Sequence, residues 1–188
     1  EGVQNNGIIN HYEYIINSEG TIEIRHVLKP EGKMPLWFPR IGLTLTVSDA
    51  LDQVKWYGRG PQENYPDRKT GYPMGIYAST VQAMYEPYLM PQDYGLRTDV
   101  RWLQLTTDKG IGLQFKMNEW FNFNIYPYST DNLTKAMYTY QLQKQKGMTL
   151  NLDYATTGVG CTARGVFGAY KAMPQEYRRT ISIRPMMK

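Results

Sequence analysis

The chain has 188 residues and a formal charge of +4, enough for one domain with a real core and too few for most multidomain enzymes. Its basic residues are scattered, without the stripe or motif that nucleic-acid binding requires, and no apolar run approaches the roughly 20 residues of a membrane-spanning helix. Cys161 is the only cysteine, which excludes an intramolecular disulfide and a thiolate zinc cluster but leaves the compartment open.

Residues 1–6 carry neither a basic nor an apolar signal-peptide region. A chain that starts on Glu1 rather than Met is expected to be processed or cut from a longer one, and we expect the second. Sixteen tyrosines, 17 glycines and 11 prolines favour strands joined by turns over a helical bundle. In chain order, period-two alternation predicts strands at 21–26, 41–47, 111–117, 121–125, 148–154 and 181–183. Turn groups separate them at Ser18-Glu19-Gly20, Pro30-Glu31-Gly32, Asp108-Lys109-Gly110 and Lys146-Gly147. One short helix is predicted after Thr130 or Asp131, with Asp131 as its N-cap. One apolar and one polar face per strand describe an all-β, antiparallel sandwich, expected to be a single domain over 1–188 with residues 1–20 as an edge or poorly ordered segment.

Two stretches break the pattern, 56–75 and 84–98. Long loops rich in aromatics and prolines either carry function or cover a sheet edge. Within the first, Trp56-Tyr57-Gly58-Arg59-Gly60-Pro61-Gln62-Glu63-Asn64-Tyr65-Pro66-Asp67-Arg68 packs turn formers, acids and arginines together with almost no aliphatic residue. It does not read as an ordinary core strand. Retaining hydrolysis needs two carboxyl groups about 5–5.5 Å apart, and Glu63 and Asp67 are the one pair in a distinctive loop. Their arginine neighbours lower a carboxylate pKa, whereas an acid catalyst needs it raised. Arg59, Glu63, Asp67 and Arg68 are therefore expected to form a structural ion-pair network with Tyr65 packed inside it, such that breaking a pair mainly destabilises.

These residues resemble a known family. Phe38-Pro39-Arg40-Ile41-Gly42-Leu43, the thirteen-residue motif, Pro87-Tyr88, Pro91-Gln92-Asp93-Tyr94-Gly95-Leu96-Arg97, Arg101-Trp102 and Leu152-Asp153-Tyr154 leading to Gly158-Val159-Gly160 are similar, in the same order, to the C-terminal domain of bacterial β-galactosidases of glycoside hydrolase family 2. The resemblance runs from about residue 20 to the C-terminus. It implies a galactose mutarotase-like β-supersandwich of which this chain is the later two-thirds, with the first strands absent or on another piece. It also implies a parent that hydrolyses terminal β-D-galactosides with two glutamates on a separate (β/α)8 barrel. The Mg²⁺ and Na⁺ sites of such enzymes lie mainly with that barrel, so neither catalytic residue, metal nor cofactor is expected in this chain. The implied partners are the barrel and other parental domains, a galactoside at the rim, and further copies through the parent.

The resemblance also implies a sugar-contacting loop after Gly158-Val159-Gly160. Family members place a tryptophan there to stack on a pyranose; here its position falls at Arg164 or Gly165, and no tryptophan stands there. Thr162, Arg164 and Phe167 are the candidate substrate contacts, with Arg164 able to donate to a hydroxyl. Two other readings are a stand-alone carbohydrate-binding module, suggested by the four tryptophans, and an aldose mutarotase-like epimerase. The latter needs a histidine acid and a carboxylate base; of His11 and His26, His26 sits in a strand pattern where a packed histidine is the commoner state.

Overall fold

The computed structural model describes residues 6–161 and 165–187. Nine strands join in antiparallel pairs: β1 (Gly7–Ile16), β2 (Ile22–Glu31), β3 (Arg40–Val47), β4 (Gln53–Arg59), β5 (Met74–Thr80), β6 (Arg97–Thr106), β7 (Gly112–Tyr126), β8 (Met148–Thr156) and β9 (Tyr177–Met186). The main path runs β1-β2-β9-β7-β6-β4-β5, with β8 also on β7 and β3 on β8. The two predicted strands at 111–117 and 121–125 are one 15-residue strand that changes partner. Its first half pairs with β9 up to Met117 opposite Ile181, and its second half pairs with β8 from Asn122 opposite Asp153. That switch folds the sheet into a sandwich.

Alternating positions fill the core: Ile24 and Leu28 of β2, Leu103 and Leu105 of β6, Phe115, Phe121 and Phe123 of β7, Leu150 and Leu152 of β8, and Ile181 of β9. Trp56 belongs to this core and is fully buried, so the start of the motif is a core strand after all. Its indole caps the end of β4 by donating to the carbonyl of Arg59 at 3.0 Å. Strands β1, β4, β5 and β6 escape the periodic reading.

Turn chemistry sets the registers. Gly20, Gly32, Gly110 and Gly147 each adopt positive φ, a region L-residues avoid, one at each of the four predicted turns. The short helix α1 (Thr130–Lys135) is capped by Ser129, whose hydroxyl accepts from the Asn132 amide at 3.0 Å. Asp131 is not the cap: it lies in the first turn and pairs with Lys135 at 2.8 Å. Ser129 has the extended backbone that a cap requires.

The polar faces of β8 and of the end of β7 are not wet. Asn124, Asn151 and Asp153 are buried beneath residues 84–96 and the helix, where Tyr94, Tyr126 and Leu133 form a second apolar cluster. Alternation therefore marks the two faces of β8 correctly but not that both are covered over residues 148–154.

Candidate functional site

The motif is built around two buried side chains. Asn64 receives the Thr98 amide at 3.1 Å and the Thr98 hydroxyl at 2.5 Å, and its own amide nitrogen donates to the Leu96 carbonyl at 2.8 Å. Glu63 accepts from Arg68 at 3.0 Å, from Tyr65 at 3.1 Å, from the Gly95 amide at 2.9 Å and from the Tyr88 hydroxyl. Burial and the neighbouring Glu63 carboxylate raise the Tyr65 phenol well above its usual range, and the same two causes push Tyr88 up to about 12. Both phenols stay protonated and donate. Arg97 lies over Trp56 and donates to the carbonyls of Pro61 at 3.1 Å and Gly95 at 2.8 Å. The two irregular stretches are thus one unit.

The charged residues fall into three separate contacts rather than one network. Glu63 pairs with Arg68. Arg59 leaves the loop for Asp99 of β6 at 2.6 Å, which Lys69 also meets at 2.6 Å. Burial opposes ionisation of Asp99, but these two cations outweigh it and hold its carboxyl below the usual range. They also stabilise a non-glycine residue at φ 57°. Among the described residues Asp67 takes no arginine; it accepts the amides of Val159 at 3.1 Å and Gly160 at 2.7 Å. A Cβ on Gly158 would fall onto the Asp67 carboxylate, so glycine is the residue that lets this clamp close.

Beside the clamp lies a cavity of about 640 Å³ lined by Trp37, Arg40, Tyr65, Arg68, Tyr88 and Val159, among others. Arg40 reaches Asp153 at 2.9 Å and Asp93 at 3.4 Å. Asn124 bridges Asp93 at 2.9 Å and the Tyr94 carbonyl at 2.9 Å, and Asn151 donates to Asn124 at 2.8 Å. Burial pushes the Asp153 carboxyl up to about 7, against the pull of Arg40. Burial disfavours the Arg40 cation in turn, but Asp153 and Asp93 prevail and raise its pKa. Sequence reasoning quoted Arg40, Tyr88, Asp93 and Asp153 only as family words. The signal that could have placed Asp153 and its partners is the polar face of β8, Thr149, Asn151 and Asp153, three residues too hydrophilic for a strand covered on both sides.

Of the candidate substrate contacts, Phe167 is exposed and precedes the 3-10 turn Gly168–Tyr170. Thr162 and Arg164 lie outside the described residues. His26 is buried, bonded to the Tyr154 hydroxyl at 2.7 Å and to Asn10 at 3.0 Å, and burial lowers its pKa. Among the described residues no group of acids, histidines or cysteine is arranged to hold a metal.

A family model described as beta galactosidase small chain matches residues 3–183, a span holding the motif, the clamp and the cavity. The chain belongs to the β-galactosidase small-chain family. Relatives bearing the name β-galactosidase include that of Priestia megaterium, 38% identical over 147 residues, which are 78% of this chain and 14% of that protein. The Vibrio cholerae protein is 39% identical over 65% of the chain and 11% of its own length, and that of Pseudoalteromonas haloplanktis is 34% identical over 78% and 14%. The chain thus spans between about one-ninth and one-seventh of the length of these relatives. In this family member both acids of the motif are spent as acceptors.

Proposed function

We propose that the chain is a non-catalytic C-terminal β-sandwich domain of a β-galactosidase, folding as one unit over residues 1–188. It supports the catalytic barrel and presents the 158–167 loop at the carbohydrate rim. The clamp of Asp67 on the Val159 and Gly160 amides carries this reading. It fixes the root of the loop to the most constrained part of the sandwich, and rigid support is what a positioned binding loop requires. The full engagement of Glu63 by four donors argues in the same direction. Each of its oxygens already accepts two of these bonds, so the side chain is committed to holding the loop together. In this reading Thr162, Arg164 and Phe167 face the sugar, and the Mg²⁺ and Na⁺ ions of the parent sit mainly on its barrel.

Two measurements test it. The 188-residue chain alone should not hydrolyse nitrophenyl β-galactoside, and hydrolysis by it overturns the accessory role. In the parent enzyme Arg164→Ala should raise KM about three- to tenfold, the size of one hydrogen bond of about 1 kcal/mol, with Tm unmoved. A shift in Tm with unchanged KM removes the loop from the rim.

A further inference from the structure

Where β7 changes partner, β8 and β9 part company and the sheet forks. The fork opens a second cavity of about 670 Å³, between 118–122 of β7, the end of β8, the start of β9 and residues 169–175. That volume falls within the range of about 300–1,000 Å³ typical of small-molecule sites. It shares no described residue with the 158–167 loop, apart from Ala169 and Tyr170 just beyond that loop's end. We propose that this fork is a carbohydrate-binding groove for neutral pyranosides, with Trp120 as its platform.

The aromatic platform is present and partly occupied from behind. Trp120 is 59% exposed, an unusual state for so large an apolar ring in a sandwich. The Arg101 guanidinium covers it at 3.3 Å from the ring centre. A cation stacked on one face holds the ring in place and leaves the other for the apolar C–H face of a sugar. Tyr170, 40% exposed, lines the same cavity.

The polar groups select a neutral ligand. Glu119 and Arg179 form a bidentate pair at 3.1 and 2.9 Å, and Asp99 is matched by Arg59 and Lys69. Each acid in the wall thus has a basic partner. The one lining cation without a carboxylate among the described residues is Lys171, which lies over the Trp37 ring at 5.6 Å. A single such cation is a weak phosphate site, and no group of acids, histidines or cysteine among the described residues is arranged to hold a metal. A carboxylate locked by a bidentate arginine keeps lone pairs free for hydroxyl donors. Asn118 binds the Thr180 amide at 3.0 Å through its oxygen, which turns its NH₂ group toward other acceptors. Arg179 Nε is buried and has no partner among the described residues. Such an orphan donor marks a side chain held for something other than packing alone.

Titration of the 188-residue chain with lactose and methyl β-galactoside, followed by tryptophan fluorescence and calorimetry, tests the groove. Saturable binding is expected, weakened about tenfold or more in Trp120→Ala and weakened in Glu119→Gln, with Tyr140→Ala, an exposed ring outside both cavities, unchanged. Glu119→Gln keeps the side-chain shape and guards against a fold defect in the tryptophan variant. The groove is overturned by absence of saturable binding to either sugar, or by binding that both variants retain. Loss in Phe167→Ala alone also overturns it and moves the sugar to the loop, so the two sites fail separately.

Discussion

Asp67 does its work on the backbone rather than on an arginine. Two charge-assisted hydrogen bonds from Val159 and Gly160 are each worth about 1.5–3 kcal/mol when the acceptor is ionised. The Val159 bond is exposed and water replaces most of it in the variant, so Asp67→Ala should destabilise by about 2–3 kcal/mol in urea unfolding, less than the 3–5 kcal/mol of a broken buried ion pair. Gly158→Ala drives a methyl into the same carboxylate and should cost as much. Because both changes remove one clamp, their effects should not add: a coupling on the order of 1–3 kcal/mol is expected in the double variant. Additive losses would separate Gly158 from the clamp. The arginine-rich composition of the motif suggested salt bridges among its own residues. What the sequence could not disclose is that Asp99, forty residues on, draws Arg59 away.

Strand β2 is tied across the core to β8 by His26 and Tyr154, with Tyr12 of β1 stacked on the imidazole at 4.2 Å. Burial lowers the His26 pKa below its unfolded value of about 6.5. The neutral ring is the one the fold holds, so its contribution is whole above pH 6.5 and is lost as the pH falls through the lowered folded value. The urea midpoint of the wild type should fall between pH 6.5 and 5 more steeply than that of His26→Phe; parallel profiles would place the pH dependence elsewhere. How legible each element was follows from the same physics. Strands with one apolar face, such as β3 and the core side of β8, announce themselves by alternation. Trp56 was hidden because its neighbours Gly58, Arg59 and Gly60 dominate the local composition. The ends of β7 looked like two strands because Asn118, Glu119 and Trp120 interrupt the apolar period where the partner changes. The cavities were not legible at all, since each gathers residues from at least four distant segments.

Across the whole molecule, burial grades from one strand to another. Residues 148–154 of β8 are buried on both faces, whereas every residue of β1 is exposed, Ile8, Tyr12, Tyr14 and Ile16 among them. β1 is held by one ladder, to β2, and by the bond from Asn10 to His26. Local stability follows buried contacts, with opening free energies running from about zero to the global value. Hydrogen exchange should accordingly be orders of magnitude faster at the amides of β1 that pair with β2 than at Leu150 and Leu152. The motif should side with the core despite its loop character, because the Asn64 amide bonded to Leu96 and the Gly95 amide bonded to Glu63 are both buried. Protection at Asn64 and Gly95 close to that of Leu150 would establish that the loop unfolds only with the sandwich. Exchange at the rate of β1 would instead make the motif a locally opening flap, and a clamp mounted on a flap could not hold the 158–160 segment in a fixed place.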